Sequence, residues 1–274
     1  LRQQGIDITK YKLLSQGGYI FHRLTQHWWE TKSMLSGMGF LNTTSKELDP
    51  MVMEMAGISD SQFGELIEFP VSAPLSLEAA DSLGIKAGIL VIPAYPDGGL
   101  NQIGDDADQD GIMTASIGTS GAIRLSVKEP KLSPSKSTWC YVGVENWLSG
   151  AAINGAGNCI DWFSRTILHD RIDFNFFNKH LLDSGETPIF LPFLFAERCP
   201  GWQGNRKGGF INLTAAMGVT DLYRGICEGI LFNLYQCYEK LLEIIPRPER
   251  IIVSGGIVNS PEWLSIFADL FNHD

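Results

Sequence analysis

Residues 114–125 read TASIGTSGAIRL. Apolar and β-branched residues dominate Ile112–Ile117 and Ala122–Val127, and Gly118-Thr119-Ser120-Gly121 separates the two runs. This pattern predicts a strand, a tight turn and a second strand. Two glycines let the backbone approach an anion closely, and the two hydroxyl groups add donors for phosphate oxygens. A plain hairpin turn explains the same four residues at least as well.

A second candidate segment lies upstream. Gly88–Ala94 reads GILVIPA, a compact apolar run that predicts a buried strand, and Pro96-Asp97-Gly98 ends it before a short helix. A carboxylate placed just beyond a buried strand can accept a proton from a substrate hydroxyl. Capping of the following helix is the alternative role for Asp97, and this segment alone favours the cap.

The third candidate segment lies near the end of the sequence. A one-sided apolar stripe predicts a helix over residues 221–245, and Arg250–Ser254 predicts a strand after it. Gly255 and Gly256 then form a turn before a last helix, and they would let a base or ribose lie against the backbone near Asn259. An ordinary connection between a strand and a helix is the alternative. Since strands alternate with helices, the predicted class is α/β, with a domain boundary near Gly111.

Composition narrows the function classes. The net charge of −10 disfavours nucleic acid and anionic membranes as partners, and no apolar run is long enough for a membrane span. The five cysteines are an odd number without a CxxC pair, which predicts a reducing compartment, here the cytoplasm. The histidines lack metal-ligand spacing, so no metal held by protein side chains is predicted.

Six segments in order carry a resemblance to a known family. They are VIPAYPDGGLNQIG, TASIGTSGAIRL, AAINGAGNCIDWF, FLPFLFAERCPGW with GNRKGGFINLT, EGILFNLY and SGGIVNSPEWLSIFADLFN. Together they resemble the FGGY family of carbohydrate kinases, and the Asp97-Gly98 pair and Arg124 resemble its gluconate kinases. The resemblance runs from about Leu13 to the last residue.

The resemblance implies a two-lobed, actin-like (ribonuclease H-like) ATPase fold that is incomplete here. Residues 1–111 would be the C-terminal part of the sugar-binding lobe, and residues 112–274 most of the nucleotide-binding lobe. The implied reaction is phosphorylation of a sugar or sugar acid by ATP with Mg²⁺, D-gluconate to 6-phosphogluconate in particular, and a homodimer is one assembly to consider. The implied site residues are Asp97 as general base, Asp97 and Gly98 at the sugar, Gly118, Thr119 and Ser120 at the phosphates, and Gly255, Gly256 and Asn259 at the adenosine.

The chain also departs from the family pattern. The family's opening Asp-x-Gly-Thr-Thr segment and its C-terminal segment are absent, so we expect no kinase activity from these 274 residues alone. Thr31 and Leu35 stand where the family has aspartate and alanine, and this departure weakens the support for gluconate as the substrate. A pentulose kinase such as xylulokinase is the alternative within the family. A non-catalytic relative used for binding or regulation, and another actin-like ATPase such as a chaperone, are the alternatives outside it.

Overall fold

The computed structural model of the protein describes residues 4–273 and divides into two compact units. The first unit contains the chain up to Gly104 together with residues 127–130 and 140–148. The second contains residues 105–126, 131–139 and the chain from residue 149 onward. The long first segment of the first unit thus ends at Gly104, before the boundary predicted at Gly111, and the assignment of the units to kinase lobes stays a prediction. Residues 1–3 and 274 of the two predicted domains lie outside the described residues.

The first unit consists of short elements. Its helices are α1 (Gln16–Thr25), α2 (Lys32–Gly37), α3 (Pro50–Ala56), α4 (Leu77–Leu83) and α5 (Asp97–Gly104). Its strands are β1 (Trp29–Thr31), β2 (Leu41–Asn42), β3 (Glu47–Leu48), β4 (Glu65–Ile67), β5 (Ala73–Pro74) and β6 (Leu90–Val91). β1 and β4 pair in parallel, whereas β2 pairs with β3 and β5 with β6 in antiparallel fashion.

Side-chain caps fix where these helices begin. Ser15 Oγ accepts a hydrogen bond from the Gly18 backbone N–H at 2.8 Å and thereby caps α1. Thr31 Oγ1 accepts one from the Met34 backbone N–H at 3.2 Å and caps α2. Such caps satisfy backbone N–H groups that lack a partner within the helix, and each contributes about 1 kcal/mol. Thr31, which departs from the family pattern, is therefore a structural cap.

The prediction of a buried strand over Gly88–Ala94 is wrong. Only Leu90 and Val91 are in β6, and the side chains of Ile89, Leu90 and Ile92 are 48%, 68% and 65% exposed. β6 pairs with the equally short β5, and this pairing leaves most of the apolar run facing solvent. Apolar composition predicted burial, but burial requires a covering layer, and the described residues do not supply one here.

The remaining elements include a five-stranded sheet and a separate two-stranded sheet. The strands are β7 (Ile112–Ile117), β8 (Gly121–Val127), β9 (Trp139–Val142), β10 (Trp147–Ile153), β11 (Ile189–Leu191), β12 (Gly209–Ile211) and β13 (Arg250–Ser254). The helices are α6 (Gly157–Trp162), which continues into a π-helical turn (Phe163–Ile167), α7 (Phe174–Lys179), α8 (Val219–Leu242) and α9 (Pro261–Phe271). The five-stranded sheet has the strand order β13-β7-β8-β10-β9, in which β13 is parallel and β8 antiparallel to β7.

The long predicted helix is confirmed as α8. Its predicted stripe is the buried face, since Ile226, Ile230, Leu234, Cys237 and Leu241 are all 0% exposed. Burying a large aliphatic side chain contributes about 1.5–3 kcal/mol, so the four aliphatic residues of this stripe stabilise the packing of α8 substantially. The α/β class is confirmed as well.

Candidate functional site

The second unit contains a cavity of about 520 Å³. Four residues singled out from the sequence line it, namely Gly118, Thr119, Gly256 and Asn259. The β7–β8 turn and the segment after β13 are far apart in sequence, but the parallel pairing of β13 with β7 places both at the same end of neighbouring strands. A cavity of this size, built at strand ends, is typical of a small-molecule site.

Hydrogen bonds to the start of α6 hold the β7–β8 turn. Ile117 pairs with Gly121, so Gly118, Thr119 and Ser120 form the connection between the strands. Gly118 O accepts a hydrogen bond from Gly157 N at 2.8 Å, and Thr119 O accepts one from Asn158 N at 3.1 Å. A Cβ atom at Gly157 would lie 2.6 Å from Gly118 O, so this contact requires glycine at position 157.

The turn itself leaves donors available. Neither the backbone N–H groups nor the hydroxyl groups of Thr119 and Ser120 have a hydrogen-bond partner among the described residues. Both side chains are exposed, although Ser120 is not part of the described cavity lining. Consecutive donors of this kind can bind the oxygen atoms of an anion.

The glycines around the cavity differ in what the fold demands of them. Gly255 has a φ of +92°, and a Cβ atom there would run into Ile117 O, so the fold itself requires this glycine. A Cβ atom at Gly118 would have no described atom within 4 Å, and one at Gly256 would meet only Ile117 O at 3.8 Å among the described atoms. Neither of these two has a positive φ. The fold therefore does not require glycine at positions 118 and 256, and the space beside them is open to a ligand. Gly255 is not in the described lining, and its role is to allow the backbone conformation of the loop.

Helices α7 and α8 supply a polar wall that the sequence did not reveal. Tyr223 of α8 donates its hydroxyl hydrogen to Asn178 Oδ1 of α7 at 2.9 Å, and both residues line the cavity. Burial raises the pKa of Tyr223 far above its ordinary value, so the hydroxyl group stays protonated and keeps its hydrogen for the bond to Asn178. The segment around Asn178 reads DFNFFNK, which matches no binding motif, and only the fold brings it to the cavity.

Asp97 lies in the first unit, at the first residue of α5. Its side chain is exposed, and Oδ1 accepts a hydrogen bond from Gly98 N at 2.7 Å. Oδ2 accepts no hydrogen bond from the described residues, so this oxygen is available to a ligand. Gly98, the other residue predicted to contact sugar, is buried. A further hydrogen bond holds the segment that precedes Asp97, since Thr31 Oγ1 donates to Ala94 O at 2.8 Å.

No group of three or more histidine, cysteine, aspartate or glutamate side chains among residues 4–273 is arranged to hold a metal ion. No helix within the same range combines the length and the apolar character that crossing a membrane demands.

Comparison with known proteins identifies relatives of the chain. The profile of the C-terminal domain of the FGGY family of carbohydrate kinases matches residues 113–274. The chain is 28% identical to a gluconokinase of Bacillus licheniformis, over 98% of this chain and 55% of that protein. The chain therefore spans about half the length of the curated relatives it matches.

Solved structures give the same result. The crystal structure of gluconate kinase from Lactobacillus acidophilus matches with a TM-score of 0.88 and 29% identity, over 96% of this chain and 54% of that one. A ligand-bound xylulose kinase from the same organism matches with a TM-score of 0.87 and 30% identity, over 94% of this chain and 53% of that one. The fold is therefore that of the FGGY sugar kinases, of which this chain represents about half.

Proposed function

Because the chain belongs to the FGGY family of carbohydrate kinases, we propose that the whole protein transfers the terminal phosphoryl group of ATP to a hydroxyl group of a sugar or sugar acid. One observation carries the nucleotide half of this proposal. Gly118 and Thr119, and far along the chain Gly256 and Asn259, line a single cavity of about 520 Å³.

The cavity suits a nucleotide with its phosphates at the β7–β8 turn. The free N–H and hydroxyl donors of Thr119 and Ser120 would bind phosphate oxygens, and the space above Gly118 would let them come close to the backbone. The loop at Gly256 and Asn259 would contact the adenosine. Mg²⁺ carried on ATP supplies charge neutralisation to a reaction that depends mainly on positioning and electrostatics.

Asp97 is proposed as the general base. Its free Oδ2 would accept the proton of the sugar hydroxyl. At the same time the oxygen of that hydroxyl would bond to the terminal phosphorus of ATP, and the bond from this phosphorus to the ADP oxygen would break. The hydrogen bond from Gly98 N to Oδ1 would keep the carboxylate oriented. Gly98, whose N–H donates to Asp97 Oδ1, would lie beside the sugar.

D-Gluconate is the first candidate substrate, with 6-phosphogluconate as its product. The gluconokinase of Bacillus licheniformis and the gluconate kinase of Lactobacillus acidophilus support this choice, as does the Asp97-Gly98 pair. A pentulose is the second candidate, because a xylulose kinase is similar to this chain at 30% identity.

The test is a substrate panel on the whole protein, with ADP release as the readout and D-gluconate and D-xylulose as the two decisive substrates. Asp97→Asn should lower kcat on the better substrate by about 10²–10⁴, because the new residue cannot accept the proton. Calorimetric binding of Mg-ATP should be largely unchanged in this variant. Full turnover by the Asp97→Asn variant would exclude Asp97 as the base, and turnover on neither sugar would reject both substrate assignments.

A further inference from the structure

The wall formed by α7 and α8 carries an inference about nucleotide choice, which rests on the proposed nucleotide site. We infer that Asn178 reads the base of the nucleotide and selects adenine over guanine. The residue lines the cavity on the α7 side, and its carboxamide is held by a buried hydroxyl group.

The anchor of Asn178 is rigid. Tyr223 is 2% exposed, and its ring packs against Phe163 and Phe177 with centroid distances of 6.1 and 5.1 Å. Its hydroxyl group therefore has a fixed position from which it donates to Asn178 Oδ1 at 2.9 Å. This bond orients the carboxamide, because it assigns the oxygen to the side of Tyr223 and leaves the Nδ2 group without a partner among the described residues.

A carboxamide fixed in this way matches the edge of adenine. Its Nδ2 group can donate to a ring nitrogen, and its oxygen keeps a second lone pair that can accept from the exocyclic amino group of adenine. Asparagine pairs with adenine through the same two bonds in nucleic-acid recognition. Guanine carries a carbonyl oxygen in place of that amino group, so the oxygen of Asn178 would face another acceptor and one bond would be lost.

Two other polar residues of the lining fit this role less well. Asn175 and Asp161 are both exposed, and no hydrogen bond among the described residues fixes either side chain. Asp161 also offers acceptors only, so it cannot donate to a ring nitrogen. Selectivity requires a preorganised group, and of Asn175, Asp161 and Asn178 it is Asn178 whose side chain is held by a hydrogen bond, from Tyr223.

The experiment measures dissociation constants of Mg-ATP and Mg-GTP by calorimetry on the whole protein that contains this chain and on its variants. The unsubstituted protein should bind ATP at least 10-fold more tightly than GTP. Asn178→Ala should weaken ATP binding by about 10-fold to 100-fold and GTP binding by less, because guanine loses only the one remaining bond, so the preference disappears. Tyr223→Phe keeps the ring and removes the anchor, and it should give an intermediate preference. Lys179→Ala, on the exposed side of the same helix, is the control and should keep the full preference.

The outcomes separate the two proposals. If the protein binds ATP but Asn178→Ala keeps the ratio of the two constants, Asn178 does not read the base and the nucleotide site still stands. If the unsubstituted protein binds ATP and GTP equally, the inference is also wrong. If the unsubstituted, folded protein binds neither nucleotide, the nucleotide site is rejected and the inference falls with it.

Discussion

Single glycines around the cavity show how far a sequence motif can be interpreted. Gly118, Gly255 and Gly256 were all predicted to be ligand-contacting glycines, because a sequence cannot distinguish a glycine needed for its backbone angle from one needed for free space. The structure makes that distinction, since only Gly255 among the three combines a positive φ with a blocked Cβ position. This difference leads to opposite expectations for alanine substitutions.

Gly118→Ala should leave stability nearly unchanged, because the added methyl group meets no described atom within 4 Å. The same methyl group would occupy space proposed for phosphate, so Mg-ATP affinity should fall at least 10-fold. Gly255→Ala should instead lower the free energy of unfolding by about 1–3 kcal/mol, because alanine is strained at a φ of +92° and collides with Ile117 O. Thermal unfolding and calorimetry measure the two effects separately.

The matched control is Gly204→Ala. A Cβ atom at this exposed glycine also has no described atom within 4 Å, and Gly204 is outside the described lining, so both stability and affinity should be retained. Gly118→Ala with unchanged ATP affinity would argue against the β7–β8 turn as the phosphate site. A loss of stability equal to that of Gly255→Ala would show that the space above Gly118 is filled in solution.

At the scale of elements, prediction succeeded where neighbouring strands pair along their full length. β7 and β13 begin where the sequence indicated, because the preference of apolar and β-branched residues for strands acts locally. The prediction of a buried strand around β6 was wrong for a reason that is not local. The run Gly88–Ala94 has the composition of a central strand, but an element is buried only if another layer packs on it, and composition cannot report that layer.

The junction of α1 and β1 depends on a buried carboxylate. Glu30 is 1% exposed, and it accepts hydrogen bonds from Ser15 N at 2.6 Å and Ser15 Oγ at 3.0 Å. Gly18 leaves the room that this carboxylate occupies. Burial raises the pKa of Glu30 above its ordinary value of 4.5, although the two bonds from Ser15 oppose the rise.

This raised pKa predicts a pH dependence of stability. The folded state binds the proton of Glu30 more tightly than the unfolded state, so the contribution of Glu30 to stability grows as the pH falls through the raised folded pKa and is complete below 4.5. Above the raised pKa, the ionised buried group opposes folding. Glu30→Gln removes this dependence, so the Tm of the variant minus that of the unsubstituted chain should be larger at pH 8 than at pH 5.

Scanning calorimetry at the two pH values measures this difference. Ser15→Ala is the companion variant, because it removes the cap of α1 and one hydrogen bond to Glu30. It should lower stability by about 0.5–2 kcal/mol, and by more at pH 8, where more of Glu30 is ionised, than at pH 5. A Tm difference for Glu30→Gln that stays constant between pH 5 and pH 8 would contradict the raised pKa.

For the whole molecule, the family and the α/β class could be predicted, but the site only in part. Gly118, Thr119, Gly256 and Asn259 belong to turns whose composition is visible in the sequence, and all four line the cavity. Asn178 could not be found in this way, because its position depends on the packing of α7 against α8. The sequence therefore reveals site residues that belong to glycine-containing turns, but not residues such as Asn178 that reach the cavity through the packing of helices.

The apolar side chains around β6 are exposed, and we expect them to affect the solution behaviour of the whole chain. Ile89, Leu90 and Ile92 are each about half to two-thirds exposed, and apolar surface of this kind promotes association. Leu90→Lys should raise the monomeric fraction in size-exclusion chromatography with light scattering, because a lysine on a strand edge opposes pairing. The Tm should change little, since Leu90 is 68% exposed. Leu75→Lys is the control, because Leu75 is 5% exposed and a lysine there should unfold the first unit. If Leu90→Lys were as destabilising as Leu75→Lys, the β6 side chains would have to be covered in solution.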